Sequence, residues 1–361
     1  MIKIAKILMA TAIGIVLLII VIIVVWSIFA FVTNRQNQFG AKLGMKPVVY
    51  MLPDENAGFA QKCALMASAL PHERLSWRTI PSKNNYIGRD ANVEIKHWDQ
   101  TYTPFGYLGA AFVFHGIEHF RAFSESELFY RTASRIATSQ GERPIALVYE
   151  PMRQLYSERP IRKPSEFHGL YWSESGIADN AAAAFGARDA DLPVAGTDIS
   201  DMITQGDLPV FTPGGKTPQE QRNDFDNVTG TTFSYVDLVY MNEPMLLFSV
   251  TEPFWQSLSS EQRIELGATL IAAANQCSSE NYELEQGALR FLHERARSGG
   301  AKLVVPDYAV LWRAAPKPTD LTVFPKSEQS IIDGLNESKD VPGAVIWSDA
   351  DWSEFRKLAP R

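Results

Sequence analysis

Arg153 is the residue whose type and position best suit the binding of a small ligand. It follows an apolar run at residues 145–148, with Glu150 and Pro151 between the run and the arginine. Such a run is typical of a strand covered on both faces, and ligands of open α/β sheets bind beyond the carboxyl ends of strands. A guanidinium offers a planar fork of donors that matches a carboxylate. Residue type alone favours a surface arginine, or an ion pair with Glu150 or Glu158.

Patterns that would indicate catalysis are weak. His115 and His119 stand four residues apart and would share one face of a helix. A metalloprotease motif needs glutamate directly after the first histidine, where Gly116 stands, and no third ligand is evident. The segment 212–217 lacks the first glycine of a phosphate-binding loop, and no serine stands in a Gly-x-Ser-x-Gly motif. The sequence therefore predicts no enzyme activity, no metal site and no cofactor.

The stretch around Arg153 resembles the solute-binding P subunits (DctP-like) of the tripartite ATP-independent periplasmic (TRAP) transporters. Three segments match that family in order and spacing, namely Arg153-Gln154, Arg159-Pro160-Ile161 and Gly169-Leu170. The resemblance covers residues 108–305, and more weakly the opening of the chain. It implies that a small organic acid binds in a cleft between two lobes, with Arg153 holding the carboxylate.

The chain departs from the family at the second arginine that grips the carboxylate, because Ser173 stands there. A serine offers only a hydroxyl. The remaining positive charge would then come from Arg159 or Arg162, or else the ligand is not an acid.

The resemblance implies three further ligand contacts, each with a plainer alternative. Trp172, on a strand predicted at 169–172, could stack on a ring or a sugar face, although packing in the core is the commoner role. Asp207 could make a polar contact or cap a helix end. Asn242 stands at a strand-turn point that lines the family's cleft, and an ordinary turn residue is equally consistent with its position.

The expected fold is α/β, a two-lobed periplasmic binding-protein fold with parallel-rich sheets and a long helix between the lobes. Strands at 48–52 and 75–80 flank a helix at 57–70, and this β-α-β crossover implies a parallel sheet. A helical pattern over 253–293 has Ser259 as its predicted N-cap. In the family this helix lies across both lobes.

Other segments follow the family less closely. The stretch 82–106 is polar and short, so a family helix that helps to form the cleft wall is missing. Helices are predicted at 116–139 and at 177–185, the second ended by Gly186. Residues 308–345 form an insertion, and a closing helix follows Trp347.

The first predicted unit of the chain is a membrane anchor. An apolar run without charge at 7–32 is long enough to span a bilayer, and lysines before it weakly favour a cytoplasmic N-terminus. The predicted units are a transmembrane anchor at 1–35, a linker at 36–46, a two-lobed solute-binding domain at 47–307 and a C-terminal insertion with a closing helix at 308–361. A cleaved signal peptide is the alternative, but the apolar run is long and a good cleavage site is lacking.

Composition and cysteine usage limit the remaining classes. The chain has 361 residues, 46% of them hydrophobic and 21% charged, which suits one large or two medium domains. A net charge of -7 argues against nucleic acid as a partner. The only cysteines, Cys63 and Cys277, lie in helical patterns among alanines. We expect two buried free thiols there.

The sequence thus predicts a solute-binding protein of the bacterial inner membrane, with one span and the bulk of the chain in the periplasm. Its partners would be membrane transporter subunits or another integral membrane complex. The alternative is an accessory or scaffold subunit of a membrane complex that reuses the fold with a decayed pocket. Tryptophans exposed in the C-terminal part would then be its anchors.

Overall fold

The computed structural model describes most of the chain beyond Lys46. The described residues are 46–54, 59–80, 91–97, 113–157, 159–168, 171–172, 185–186, 188–189, 210–211, 235–241, 245–298, 302–314 and 347–359. At Arg153 and Trp172 the backbone alone is described.

The described part of the chain contains both strands and helices. The strands are β1 Val48–Pro53, β2 Ser76–Thr79, β3 Val93–His97, β4 Glu142–Val148, β5 Arg153–Ser157, β6 Tyr171–Trp172, β7 Arg188–Asp189, β8 Val210–Phe211, β9 Tyr235–Met241, β10 Leu246–Thr251 and β11 Lys302–Val304. The helices are α1 Ala60–Ala69, α2 Gly116–Ser124, α3 Glu127–Gln140, α4 Glu252–Ser257, α5 Ser260–Arg297, α6 Tyr308–Ala314 and α7 Asp349–Lys357.

The first lobe is built on a sheet with strand order β2-β1-β3-β10-β4. β1 is parallel to β2 and β3, as the β-α-β opening predicted, and β10 is antiparallel to β3 and β4. One face of the sheet packs against α1 and α5, and the other packs against α2, α3 and α7. Ala146 and Val148 belong to the first core and Leu147 to the second. The predicted burial of residues 145–148 on both faces is therefore confirmed.

The second lobe is built on a sheet with strand order β11-β9-β5-β8. β9 is parallel to β11, and β5 is antiparallel to β9 and β8. The chain passes from the first sheet to the second between β4 and β5, and it returns between β9 and β10. We call the first passage, Tyr149–Met152, the first crossing.

Helix α5 contacts both lobes, as predicted for the segment 253–293. It packs on α1 and β4 of the first lobe and also touches β11 of the second. The predicted segment is divided into two helices, because α4 ends at Ser257 and α5 begins at Ser260. Ser259 caps α5 as predicted: its Oγ accepts the Gln262 N–H at 3.3 Å, while Gln262 Oε1 accepts the Ser259 N–H at 2.9 Å.

The helical pattern predicted at 116–139 is likewise divided, into α2 and α3. Ser126 Oγ accepts the Phe129 N–H at 3.1 Å and so caps α3. Gly186 has φ 86°, the left-handed conformation expected of a glycine that ends a helix. The helix predicted before it lies mostly outside the described residues.

The closing helix α7 completes the core of the first lobe. A capping box joins Ser348 to Asp351 at its start. Trp347 and Trp352 are only 3% and 4% exposed, and the indole N–H of Trp347 donates to Thr132 Oγ1 at 2.9 Å. Neither is exposed to anchor a partner. Both indole rings are buried in the core of the first lobe, because removing their large apolar surface from water is favourable. Trp312, the tryptophan of the predicted insertion, is partly buried, and its indole N–H donates to the Val113 carbonyl at 3.1 Å.

The expectation of two free thiols is also wrong. Cys63 of α1 and Cys277 of α5 form a disulfide, with Cα atoms 5.5 Å apart and both residues fully buried. Alanines beside each cysteine allow the two helices to approach closely. The sequence did not reveal this pairing because the two positions are 214 residues apart.

Asp237 on β9 is a buried carboxylate in the second lobe. It accepts hydrogen bonds from the Ser157 hydroxyl and, at 2.8 Å, from the Ile161 N–H. Burial raises the pKa of Asp237 to about 7, and these two hydrogen bonds only partly offset that effect. The carboxyl group thus holds the turn after β5 against β9.

No helix among the described residues is both long and apolar enough to cross a membrane. The predicted anchor at 1–35 lies outside them.

Replacing both cysteines, Cys63→Ala with Cys277→Ala, should lower the free energy of unfolding by about 2–5 kcal/mol, because the disulfide restricts the unfolded chain. Urea unfolding of the oxidised protein measures the difference. Wild-type protein in reductant is the control and should approach the variant. An unchanged midpoint in both cases would show that the link adds no stability.

Asp237→Asn should change how stability depends on pH. The folded pKa of about 7 lies above the ordinary value of 3.8, so the folded state holds this proton more tightly than the unfolded state. The stability from that proton is complete below about pH 4 and is lost as pH rises to about 7. The unfolding free energy of the wild type, relative to the variant, should therefore fall over this range. A constant difference in urea unfolding at several pH values would contradict the prediction.

Candidate functional site

The first crossing is held by one face of α5. Ser278, Asn281 and Glu285 share this face because they are three and four residues apart. Ser278 Oγ accepts the Tyr149 N–H at 2.9 Å, and Asn281 Nδ2 donates to the Tyr149 carbonyl at 2.8 Å. Both backbone groups of Tyr149 are therefore satisfied by helix side chains at the end of β4.

Glu285 reaches across the whole crossing. Its Oε2 accepts the Tyr149 hydroxyl at 2.8 Å and the Met152 N–H at 2.7 Å. The residue is only 5% exposed, and this burial raises the pKa of its carboxyl group. Burial also raises the pKa of Tyr149, and the negative charge of Glu285 adds to the effect. The phenol therefore stays protonated and acts as the donor.

Arg153 follows Met152 directly and begins β5. Its backbone is paired with Met241, the last residue of β9, and Asn242 comes next in the sequence. The strand pairing therefore brings the end of the first crossing beside the start of the second passage. Of the residues predicted to bind ligand, Trp172 lies in β6, paired with Asp189 of β7. Ser173, Asp207 and Asn242 lie outside the described residues.

His97 and Glu150 form a pair that the sequence analysis missed. His97 ends β3 and Glu150 follows β4, so both stand at carboxyl ends of strands in the first sheet. His97 Nε2 lies 2.8 Å from Glu150 Oε2, and Glu150 is only 7% exposed. The sequence indicated Glu150 only as a partner for Arg153, because nothing local marks a contact over 53 residues.

Comparisons with known proteins show which proteins share this fold. No protein-family model matches the chain, and no curated protein matches its sequence. Among solved structures, a TRAP periplasmic solute-binding protein from Ochrobactrum anthropi, with its C-terminus bound in the ligand-binding pocket, superposes with a TM-score of 0.59 at 12% identity, covering 87% of this chain and 94% of that one. The chain has the fold of the TRAP periplasmic solute-binding proteins.

Two further structures of this TRAP fold are similar. One is a protein from Roseobacter denitrificans with bound 3-deoxy-D-manno-oct-2-ulosonic acid. It superposes with a TM-score of 0.56 at 15% identity, and the match covers 87% of this chain and 100% of that one. TeaA, the ectoine-binding protein of the TeaABC TRAP transporter, gives 0.59 at 10% identity, covering 81% and 99%. The family resemblance found in the sequence is thus confirmed at the level of the fold.

Arg159, one of the two arginines predicted to replace the charge of the missing family arginine, is exposed and lies just after β5. Its guanidinium donates to the His168 carbonyl at 2.8 Å. The other, Arg162, lies on the exposed turn before the short 3-10 helix Pro164–Glu166, and its backbone N–H donates to the Glu166 carboxylate. The contacts of Arg159 stabilise the connection after β5.

The histidine pair has a structural role. His119 is fully buried, its Nδ1 accepts the His115 N–H at 3.0 Å, and its Nε2 donates to the Phe355 carbonyl at 2.8 Å. Burial lowers the pKa of His119 to about 4, so the ring is neutral at pH 7 and both nitrogens are used. Within the described ranges, no three metal-binding side chains come together.

Proposed function

We propose that this protein is an extracytoplasmic solute receptor that binds a small organic acid between its two lobes and passes it to membrane transporter subunits. The fold supports this role, since the Roseobacter denitrificans protein of the same fold has an organic acid bound. In this proposal the protein is not an enzyme, because binding and release complete its task.

The position of Arg153 is the observation that carries the proposal. The residue comes directly after the first crossing, and its backbone is paired beside the second passage. A guanidinium at this point would lie where the chain passes between the lobes. Removed from bulk water, its bond to a carboxylate would gain strength.

The other proposed contacts would shape the pocket around that charge. Trp172 would offer an aromatic face, and Asp207 and Asn242 would offer polar groups. Ser173 would contribute a hydroxyl in place of the family's second arginine. Because Ser173 carries no charge, acid binding would depend on Arg153 more strongly than in a family protein that has both arginines.

The disulfide and the apolar run at 7–32 support an extracytoplasmic, membrane-anchored location. Disulfides persist in oxidising compartments such as the bacterial periplasm, and Cys63–Cys277 is one. We propose that residues 1–35 anchor the chain in the inner membrane, that 36–46 form a linker and that the two-lobed domain at 47–307 lies in the periplasm. Residues 308–361 add the insertion and closing helix.

Arg153→Ala should weaken binding of the acid by roughly tenfold or more, since a lost charge-assisted hydrogen bond costs about 1.5–3 kcal/mol. Ser173→Arg should strengthen binding, because it restores a second guanidinium. Calorimetry of the full chain in mild detergent, against mono- and dicarboxylates that include 3-deoxy-D-manno-oct-2-ulosonic acid, measures both effects. Arg290→Ala, an exposed arginine of α5, is the matched control and should bind as the wild type does.

The accessory-subunit function is the second candidate, and Ser173 is the residue that favours it. If no carboxylate binds while stable membrane partners co-purify, the receptor proposal is wrong and the accessory function replaces it. The burial of Trp347 and Trp352 removes one argument for that function.

The anchor has a test of its own. N-terminal sequencing of the membrane-extracted protein should find residues 1–32 retained, because the apolar run is long enough to span the bilayer. A mature chain that starts near Gln36 would show that the run is a cleaved signal.

A further inference from the structure

We infer that Glu285 is a positioning residue for the ligand, because it ties the two ends of the first crossing together and thereby fixes the start of β5 at Arg153. The inference rests on the proposed function in one respect, namely that Arg153 contacts the ligand. The two hydrogen bonds of Glu285 to Tyr149 and Met152, which we call the tie, do not depend on that proposal.

One carboxylate oxygen makes both bonds of the tie. Glu285 Oε2 accepts from the Tyr149 hydroxyl at 2.8 Å and from the Met152 N–H at 2.7 Å. Tyr149 follows the last residue of β4, and Met152 precedes the first residue of β5. Because Glu285 is 5% exposed, water competes little for either donor, and both bonds gain strength from the low local dielectric.

The strand pairing does not hold Arg153 firmly by itself. Arg153 is paired with Met241 and Leu155 with Asp237, so the register between β5 and β9 shifts between these two pairs. Such irregularities interrupt the ladder and re-aim side chains. The Met152 N–H bond to Glu285, one residue before the irregularity, therefore supplies a restraint that the ladder lacks.

The three α5 side chains at the crossing bind different parts of it. Ser278 and Asn281 bind the backbone of Tyr149 and so hold the end nearest the first lobe. Among the described contacts, Glu285 is the α5 side chain that reaches Met152 at the other end. Since α5 also touches β11 of the second lobe, Glu285 connects the helix that spans both lobes to the residue beside Arg153.

The test compares three variants of the full chain in mild detergent. Glu285→Leu removes the acceptor at similar size, and Glu285→Gln keeps an amide oxygen that can accept both bonds. Leu270→Ala is the control for stability, because Leu270 is buried in the first core on the same helix and makes none of the contacts described at the crossing. The probe is 3-deoxy-D-manno-oct-2-ulosonic acid, or the carboxylate of the same panel that the wild type binds best. Calorimetry measures affinity, hydrogen exchange measures protection of the amides at 149–157, and urea unfolding confirms that each variant is folded.

We expect Glu285→Leu to weaken binding by about tenfold or more, because small displacements of a binding group are costly. Amides at the end of the crossing should exchange faster. Glu285→Gln should bind within about threefold of the wild type, while Leu270→Ala should lose stability with unchanged affinity. Rescue by glutamine together with the behaviour of Leu270→Ala separates positioning from a loss of overall stability.

Failure of the inference is distinct from failure of the proposed function. If the wild type binds the acid and Arg153→Ala does not, but folded Glu285→Leu binds normally, the inference is overturned and the receptor function stands. Equal losses in Glu285→Gln and Glu285→Leu would also overturn it. If the wild type binds no carboxylate, both the receptor function and the positioning role are wrong. Should Glu285→Leu not fold, Glu285→Asp, which retracts the carboxylate by one methylene, carries the same test.

Discussion

Peptide groups that leave one sheet for another must find hydrogen-bond partners outside both ladders, and this constraint governs the centre of the molecule. At the first crossing the partners come from α5. Its Ser278, Asn281 and Glu285 satisfy the backbone of Tyr149 and the N–H of Met152. A buried carboxylate is costly unless it is hydrogen-bonded. The crossing supplies donors to Glu285, and the helix supplies hydrogen-bond partners to the backbone of the crossing.

The position of α5 in turn depends on the first lobe. The helix covers one face of the first sheet, and the disulfide between Cys63 and Cys277 joins it covalently to α1. The opposite face of that sheet is closed from the far end of the sequence, where Trp352 and Phe355 of α7 enter the second core. Residues from both ends of the chain thus stabilise the surface from which α5 reaches the crossing.

The same arrangement bears on the proposed binding of a solute. Arg153 stands one residue beyond the tie from Glu285, and the pair His97–Glu150 lies at the strand ends of the first sheet. Ligands of α/β folds bind at such strand ends. Glu150 belongs to the first crossing, so this pair and the backbone of Arg153 both lie where the chain passes between the two sheets.

Local patterns in the sequence predicted several of the elements and the cap of α5. The apolar run at 145–148 predicted a strand buried on both faces, and Ser259 predicted the start of α5, because a strand's burial and a helix cap depend on residues close together in the chain. The spacing around Arg153 was enough to indicate the fold, which the comparisons with solved structures confirmed.

Contacts between distant segments were decided only by the tertiary structure. The Cys63–Cys277 disulfide joins positions 214 residues apart, and the bond from Met152 to Glu285 joins positions 133 apart. No local pattern distinguishes Glu285 from the exposed glutamates of the same helix, or Trp352 from a surface tryptophan. The sequence by itself determined several strands and helices through patterns of residues close together in the chain, whereas the packing of α5 and α7 on the first sheet decided which of their side chains are buried and what they bind.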